Sequence, residues 1–301
     1  MVSMNTRRAA RPGWSCLGSA ANYIVLGICA LIALYPFWYV IVSSLSSSRA
    51  ITAGEVSLWP VEINVEAYKR LFEDGQLFLA MRNTVVVTVI GTLFNMAFTI
   101  LAAYPLSRKR LMGRNALLML ITFTMLFVTG VIPNFILIKS LGLMDSYWAL
   151  WLPSLISTYN MFVMKTFMEG LPEEIEESAA IDGAGDWRIL LRIILPLCKP
   201  IIAALSLFYA VGWWNSYFSV MLYITKSSLQ TLTLKLYQMI QQVDQSLLNS
   251  FSGSEGVTQV LLTPEAIKAA AIVIAVAPIL VVYPFLQKHF VKGVLIGSVK
   301  G

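Results

Sequence analysis

The chain has 301 residues, 57% of them apolar and 13% charged, with a formal net charge of +6 and a mean hydropathy of +0.72. A soluble domain carries roughly 25% charged residues, so a water-soluble globule is excluded, and a sidedness bias of Lys and Arg about membrane spans explains the positive charge more economically than a nucleic-acid partner. Cys16, Cys29 and Cys198 are scattered and His289 is the single histidine, which leaves no disulfide framework, no His-based metal pair and no catalytic triad.

Six apolar runs follow in chain order, at approximately 21–43, 84–106, 116–138, 146–164, 200–223 and 268–287. Each suffices for a membrane-crossing helix of about 20 residues. The expected fold class is therefore all-α, a polytopic membrane protein with six transmembrane helices. Arg7, Arg8 and Arg11 precede the first run. That run exceeds the roughly 7–15 apolar residues of a signal-peptide core, so it reads as a retained span. The expected organisation is a cytoplasmic N-terminus at 1–20, a first span at 21–43 and an external loop at 44–83. A core of five spans occupies 84–290, and a cytoplasmic tail 291–301. Within the core, 165–199 is a cytoplasmic loop and 224–267 a second external loop, rich in Gln, Ser and Asn. Pro36, Pro105, Pro133, Pro153, Pro278 and Pro284 lie in or near the runs, where membrane helices tolerate them as kinks.

Orientation follows from Lys and Arg. With the N-terminus inside, fourteen fall on the cytoplasmic side and eight outside, the latter mostly diluted across the two long loops. The tight group Arg108, Lys109, Arg110 and Arg114 is the firmest pin. Both termini are expected in the cytoplasm.

The 165–199 loop is too charged and too glycine-broken to lie in lipid. It is also far longer than the usual connection of about 4–6 residues. Leu171 to Gly183 reads as a short helix: Pro172 suits the first position, Glu173 and Glu174 the positive N-terminal end, and Gly183 the left-handed residue past the C-terminus. Ile175 and Ala179 share a face, while Ser178, Ala179 and Ala180 are small enough for another protein to approach. Asp186 is expected to cap a second helix carrying Trp187, Leu190, Leu191 and Ile194, with Arg188 and Arg192 at i, i+4, and Pro196 is expected to end it. Such a segment reads as a docking element rather than a passive connection.

The spacing Glu-x-Ala-x-x-x-Gly, nine residues, then Ile-x-Leu-Pro resembles the EAA loop of bacterial ABC importer permeases. The matching positions are Glu177, Ser178, Ala179, Gly183, Ile193, Leu195 and Pro196, with Ser178 in place of the usual first alanine. Ala180-Ile-Asp182-Gly-Ala184 resembles the sugar-permease branch related to the maltose permease. Weaker likenesses occur at Trp59-Pro60, Ala67-Tyr68, Asn83-Thr84, Gly212 to Tyr217, and Phe290 to Gly293 through Val299 to Gly301. The tail wording leans towards permeases of complex or polymeric sugars. The resemblance implies a type I ABC importer permease fold in a bacterial cell membrane. It also implies a second permease subunit, two ATP-binding cassette ATPase subunits and an external solute-binding protein as partners. ATP and Mg would sit on the ATPases and no cofactor on this chain, in keeping with the lack of any G-x-x-x-x-G-K-[ST] loop. The EAA loop would be the coupling helix, with Glu177 facing a basic partner and Gly183 making the sharp turn.

In the fifth run Trp213, Trp214, Asn215 and Tyr217 are candidates for the sugar path, since aromatic faces and an amide suit sugar rings. A headgroup belt with core packing is the competing reading. Asn215 stands apart, because a buried amide needs partners. Two other function classes fit the sequence less well. An ion-coupled secondary transporter usually carries ionisable groups at membrane depth, and the middles of all six runs lack them. An intramembrane enzyme finds no carboxylate pair in the runs. A permease for another solute, such as an amino acid or phosphate, stays open.

Overall fold

The computed structural model describes residues 14–73, 75–127, 129–251 and 263–298. Arg7, Arg8, Arg11 and the last three residues of the tail lie outside them. The chain divides into two compact units, Met1–Lys69 with Glu255–Val273, and Arg70–Ser254 with Ile274–Gly301.

In the first unit α1 (Trp14–Ser44) carries Pro36 inside it and is exposed at every position from 22 to 39. An apolar helix bare on all sides is at home in lipid rather than water. Short helices α2 (Ser48–Thr52) and α3 (Glu66–Phe72) follow. Ser47 caps α2 by accepting a bond from Ala50 N–H, and Tyr68 donates its hydroxyl to Ser44 Oγ at 2.8 Å.

The second unit is organised by α4 (Gln76–Ser107), 32 residues with Pro105 near its end. Its buried stripe is rich in small or polar residues, among them Ala80, Asn83, Thr84, Gly91, Asn95, Thr99 and Ala103. Its outer face shows Phe78, Val85, Val89 and Leu93. Large apolar groups outside and small or polar ones inside is the pattern of helices packed within a bilayer. Gly91 shows why small residues are needed: a Cβ there would lie 2.6 Å from the Trp213 ring.

Helices α5 (Arg114–Leu126) and α6 (Val131–Ser140) form one pair bent by 109°. Next come α7 (Trp148–Trp151), a 3-10 turn at Leu152–Ser154 and α8 (Thr158–Glu169). The 165–199 segment contains α9 (Glu173–Ile181) and α10 (Asp186–Ile189), a π turn at Leu190–Ile194 and α11 (Leu195–Leu197). Then α12 (Lys199–Trp214) leaves the preceding segment at 81°, followed by α13 (Phe218–Tyr223) and α14 (Leu232–Phe251). The last helix, α15 (Pro264–Ser298), contributes to both units and continues through the start of the expected tail.

Among the described residues three stretches are long and apolar enough to cross a membrane unaided, Asn22–Ser44, Gln76–Ser107 and Pro264–Val281, and up to five spans result if each bent pair counts as one. The apolar runs are thus not all single rods. The 146–164 run breaks after α7, where Pro153 lacks an N–H and Ser157 caps α8 from Asn160 N–H at 3.4 Å. The 200–223 run breaks at Asn215–Tyr217, between α12 and α13. The polar 224–267 segment, expected as a loop, contains α14. Its entry is fastened to α4, because Asn83 Nδ2 donates to the carbonyls of Ser228 and Gln230 at 2.8 and 3.0 Å, and Thr84 Oγ1 accepts from Leu232 N–H at 2.7 Å. Nearby, Asp145 accepts from Thr225 N–H, Lys226 N–H and the Thr225 hydroxyl at 2.6, 2.9 and 2.7 Å.

Candidate functional site: a docking helix and a polar mouth

Helix α9 begins after Pro172, which at φ −60° and ψ 128° serves as its N-cap, so the helix starts at Glu173, one residue later than expected. Its acidic first turn, Glu173, Glu174 and Glu176, suits the positive end of the helix dipole. Its end follows from Gly183 at φ +78°. There Gly183 N–H donates to Ala180 C=O and Ala184 N–H to Ala179 C=O, both at 3.0 Å. This is the paired-bond termination that a left-handed glycine permits. Ala179 is buried in an apolar cluster with Met164 and Met168 of α8, Ile189 and Ile194, and Ala184 packs against it. On the opposite side Glu177, Ser178, Asp182 and Gly183 are exposed. Ile181, Trp187 and Leu191 are bare as well, at 86%, 66% and 59% exposure. One face of the segment is therefore anchored and the other is open. Ile193 and Leu195 belong to the anchored side, packing on the same cluster, while Pro196 is exposed. Two details correct the sequence reading. Gly185, not Asp186, is the N-cap of α10, and the helical segment runs through Pro196 to Leu197.

Asp186 does something else: its carboxylate pairs with Arg110 at 2.5 Å. It is one of several such pairs. Arg108 pairs with Glu176, Lys109 with Glu173 at 3.2 Å, and Arg114 with Glu169, which Lys165 also meets at 2.8 Å. Arg114 Nε further donates to Leu106 C=O at 2.8 Å. The Arg108–Glu176 pair is the buried member, with side chains only 11% and 15% exposed, and Arg108 lies 5.0 Å over the Tyr104 ring. Burial pushes the Glu176 carboxyl above the usual carboxylate range, the Arg108 guanidinium opposing it less strongly. Glu177 stands at the edge of this cleft and forms no ion pair within the described residues. The sequence signalled the basic group but not its partners, which lie 55 to 76 positions away.

The second site is a cavity of about 780 Å³ where α12 and α13 meet the break before α8. Trp213, Asn215 and Tyr217 line it together with Asn95, Asn160 and Tyr209. No Asp, Glu, Lys, Arg or His is among its lining residues. Trp214 turns elsewhere: it lines an apolar groove with Val85 and Pro278, and its indole N–H donates to Ala275 C=O at 3.0 Å. Asn215 is exposed rather than buried, its amide bonded to Val211 C=O in the preceding turn at 3.0 Å. A buried amide that does line the cavity is Asn95, which no local sequence pattern marks. Its Oδ1 accepts the Trp213 indole N–H at 2.5 Å, and its Nδ2 donates to the carbonyls of Ser154 and Leu155, the latter at 3.0 Å. One turn on, Thr99 Oγ1 and the Tyr209 hydroxyl share a bond of 2.8 Å, and that hydroxyl accepts from Ser157 N–H at 3.2 Å. Asn95 and Thr99 thus hold α12 and the helix break together.

An apolar helical bundle whose longest buried contact runs through small and polar residues of α4, with a helix anchored on one face and open on the other and an uncharged aromatic cavity, has the form of a transporter's path-forming subunit. Residues 95–296 match the model of the binding-protein-dependent transport system inner membrane component, and the chain belongs to that family. It is 43% identical over 282 residues to Protein LplC of Bacillus subtilis (strain 168), covering 93% of this chain and 94% of that protein. It is also 43% identical over 277 residues to the polygalacturonan/rhamnogalacturonan transport system permease protein YtcP of the same organism, with 90% and 94% covered. Among solved structures it is similar to a chain of a bacterial ABC transporter involved in the import of the acidic polysaccharide alginate. That match has 32% identity and a TM-score of 0.81, over 94% of this chain and 99% of that one. The chain is accordingly a multi-pass membrane permease with the all-α ABC importer permease fold.

Proposed function

We propose that this permease forms half of the path of an ATP-driven importer for a carbohydrate, an oligosaccharide or polysaccharide fragment. A second permease subunit supplies the other half. Two ATPase subunits act from the cytoplasm, where both termini lie, and an external solute-binding protein delivers the sugar. The observation that carries this reading is the two-faced docking segment: Ala179 is buried while Glu177, Ser178, Asp182, Ile181 and Trp187 stay open. An ATPase seated there can displace the bundle through a differential interaction at one face. ATP and Mg belong to those partners, and this chain hydrolyses nothing itself. Its own residues bind and orient. Glu177 meets a basic group on the ATPase, Gly183 fixes the turn, and Ile193 and Leu195 root the segment in the bundle, with Pro196 exposed between it and α12.

The sugar reading draws on the neutral aromatic mouth at Trp213, Asn215 and Tyr217. Rings present apolar faces to sugar C–H groups, while Asn160, Asn215 and Tyr209 offer hydrogen bonds to hydroxyls. The similarity to YtcP and to the alginate importer chain favours a polymeric sugar or its fragments. In the assembled importer, Glu177→Ala should raise the ATP consumed per sugar taken up while the protein stays in the membrane. Normal stoichiometry at equal abundance would overturn the reading.

A further inference from the structure

Positive charge near a span needs no partner to set sidedness; it only needs to be there. The turn after α4 goes further. Arg108, Lys109, Arg110 and Arg114 each meet a different acid within residues 169–186, namely Glu176, Glu173, Asp186 and Glu169. Burying Arg108 with Glu176 costs desolvation that an exposed arginine would avoid. An interaction bought at that cost has a positional consequence: it ties α9 to α4 beside the apolar contact through Ala179. The helix α4 then runs unbroken from Ser107 back to Asn95, about 18 Å at 1.5 Å per residue. Asn95 holds Trp213 and the helix break at the mouth.

We infer that the basic turn Arg108–Arg114 is the joint through which displacement of the docking helix reaches the mouth. Arg108, Lys109, Arg110 and Arg114 are positioning residues that make α9 and the cytoplasmic end of α4 move as one body. This rests on the coupling reading proposed above and assigns its mechanical link. Glu177 is the contact to the partner, and the four cations carry the movement inwards. The clamp leaves the docking face free, since the acids it engages are not Glu177 or Asp182.

The test uses the full importer purified with its ATPases, with Cys16 and Cys29 replaced by Ser and a reporter Ser219→Cys at the exposed rim of the mouth. The measurement is the rate of labelling by a membrane-impermeant maleimide, with and without ATP and vanadate. The reference complex should change its rate by about fivefold or more between the two states. Arg108→Met should reduce that response to under about twofold with the ATPases still bound, and Arg108→Lys should keep most of it. If Arg108→Met does not assemble, the exposed pair Lys109→Gln with Arg110→Gln decides, and should lose about half of the response. A full response in Arg108→Met, or in that double variant where it decides, overturns the joint. Glu177→Ala separates the two claims. A lost response there with a full response in the clamp variants sinks the joint alone. A full response in Glu177→Ala, or none in the reference, sinks the coupling reading as well.

Discussion

The C-terminal end of α4 and its middle are held by different chemistry. At the end, four cations face four acids, and three of the pairs are at least a fifth exposed on both sides. In the middle, Asn95, Thr99, Tyr209 and Trp213 form a neutral lattice with backbone groups of the helix break. Exposed ion pairs are worth about 0–1 kcal/mol each and exchange readily with water. A buried neutral group left without its partner costs about 1–3 kcal/mol. The exposed pairs at the end are therefore individually weak and hold α9 to α4 only together with the buried Arg108–Glu176 pair, whereas each bond in the middle is costly to lose. A bundle driven from one face needs both, a joint that holds collectively and a stiff lever.

The largest expected effect strikes the lattice. Asn95→Leu strands the Trp213 indole N–H and the carbonyls of Ser154 and Leu155, and should cost about 3 kcal/mol, read as a lower thermal midpoint of the purified protein. A midpoint unchanged from the parent would show that the middle is not the stiffer region. Tyr209→Phe removes the bonds to Thr99 and Ser157 and should cost about 1–2 kcal/mol in the same assay. Gly183→Leu tests the docking end. The added Cβ meets nothing within 4 Å, so only the left-handed backbone is strained, by about 1–2 kcal/mol. That loss should appear as faster amide exchange at the end of α9, with the lattice unaffected.

The smallest effect lies at Asp145. The Lys226 N–H and the Thr225 hydroxyl hold its carboxyl below the ordinary value of 3.8. A depressed folded value stabilises above the unfolded value and is lost as pH falls through the folded one. The 224–230 segment should therefore stay fastened at neutral pH and loosen only below pH 3.8. Asp145→Ala should show at neutral pH the proteolytic sensitivity that the parent shows only in acid.

What the sequence revealed and what it hid divides along the same line. Helix α9 was legible because its determinants are local: Pro172, an acidic first turn and a left-handed Gly183 lie within twelve residues of one another. The membrane class was legible from composition. The Arg108–Glu176 pair and the Asn95–Trp213 bond were not, since they join positions 68 and 118 apart and no local pattern announces them. Asn215 misled because it sits among apolar residues, yet the helix ends there and turns it outwards. The break at 152–157 was hidden for a related reason. Prolines are common in membrane helices as kinks, so Pro153 alone did not separate a kink from a stop.

The central claim is that residues 171–198 form a handle gripped from the cytoplasm by a separate ATPase. Its most direct test is a photo-crosslinker placed at Ser178, on the open face of α9, in the importer purified from membranes. The account predicts a crosslink to the nucleotide-binding subunit; a crosslink to the external solute-binding protein would contradict it.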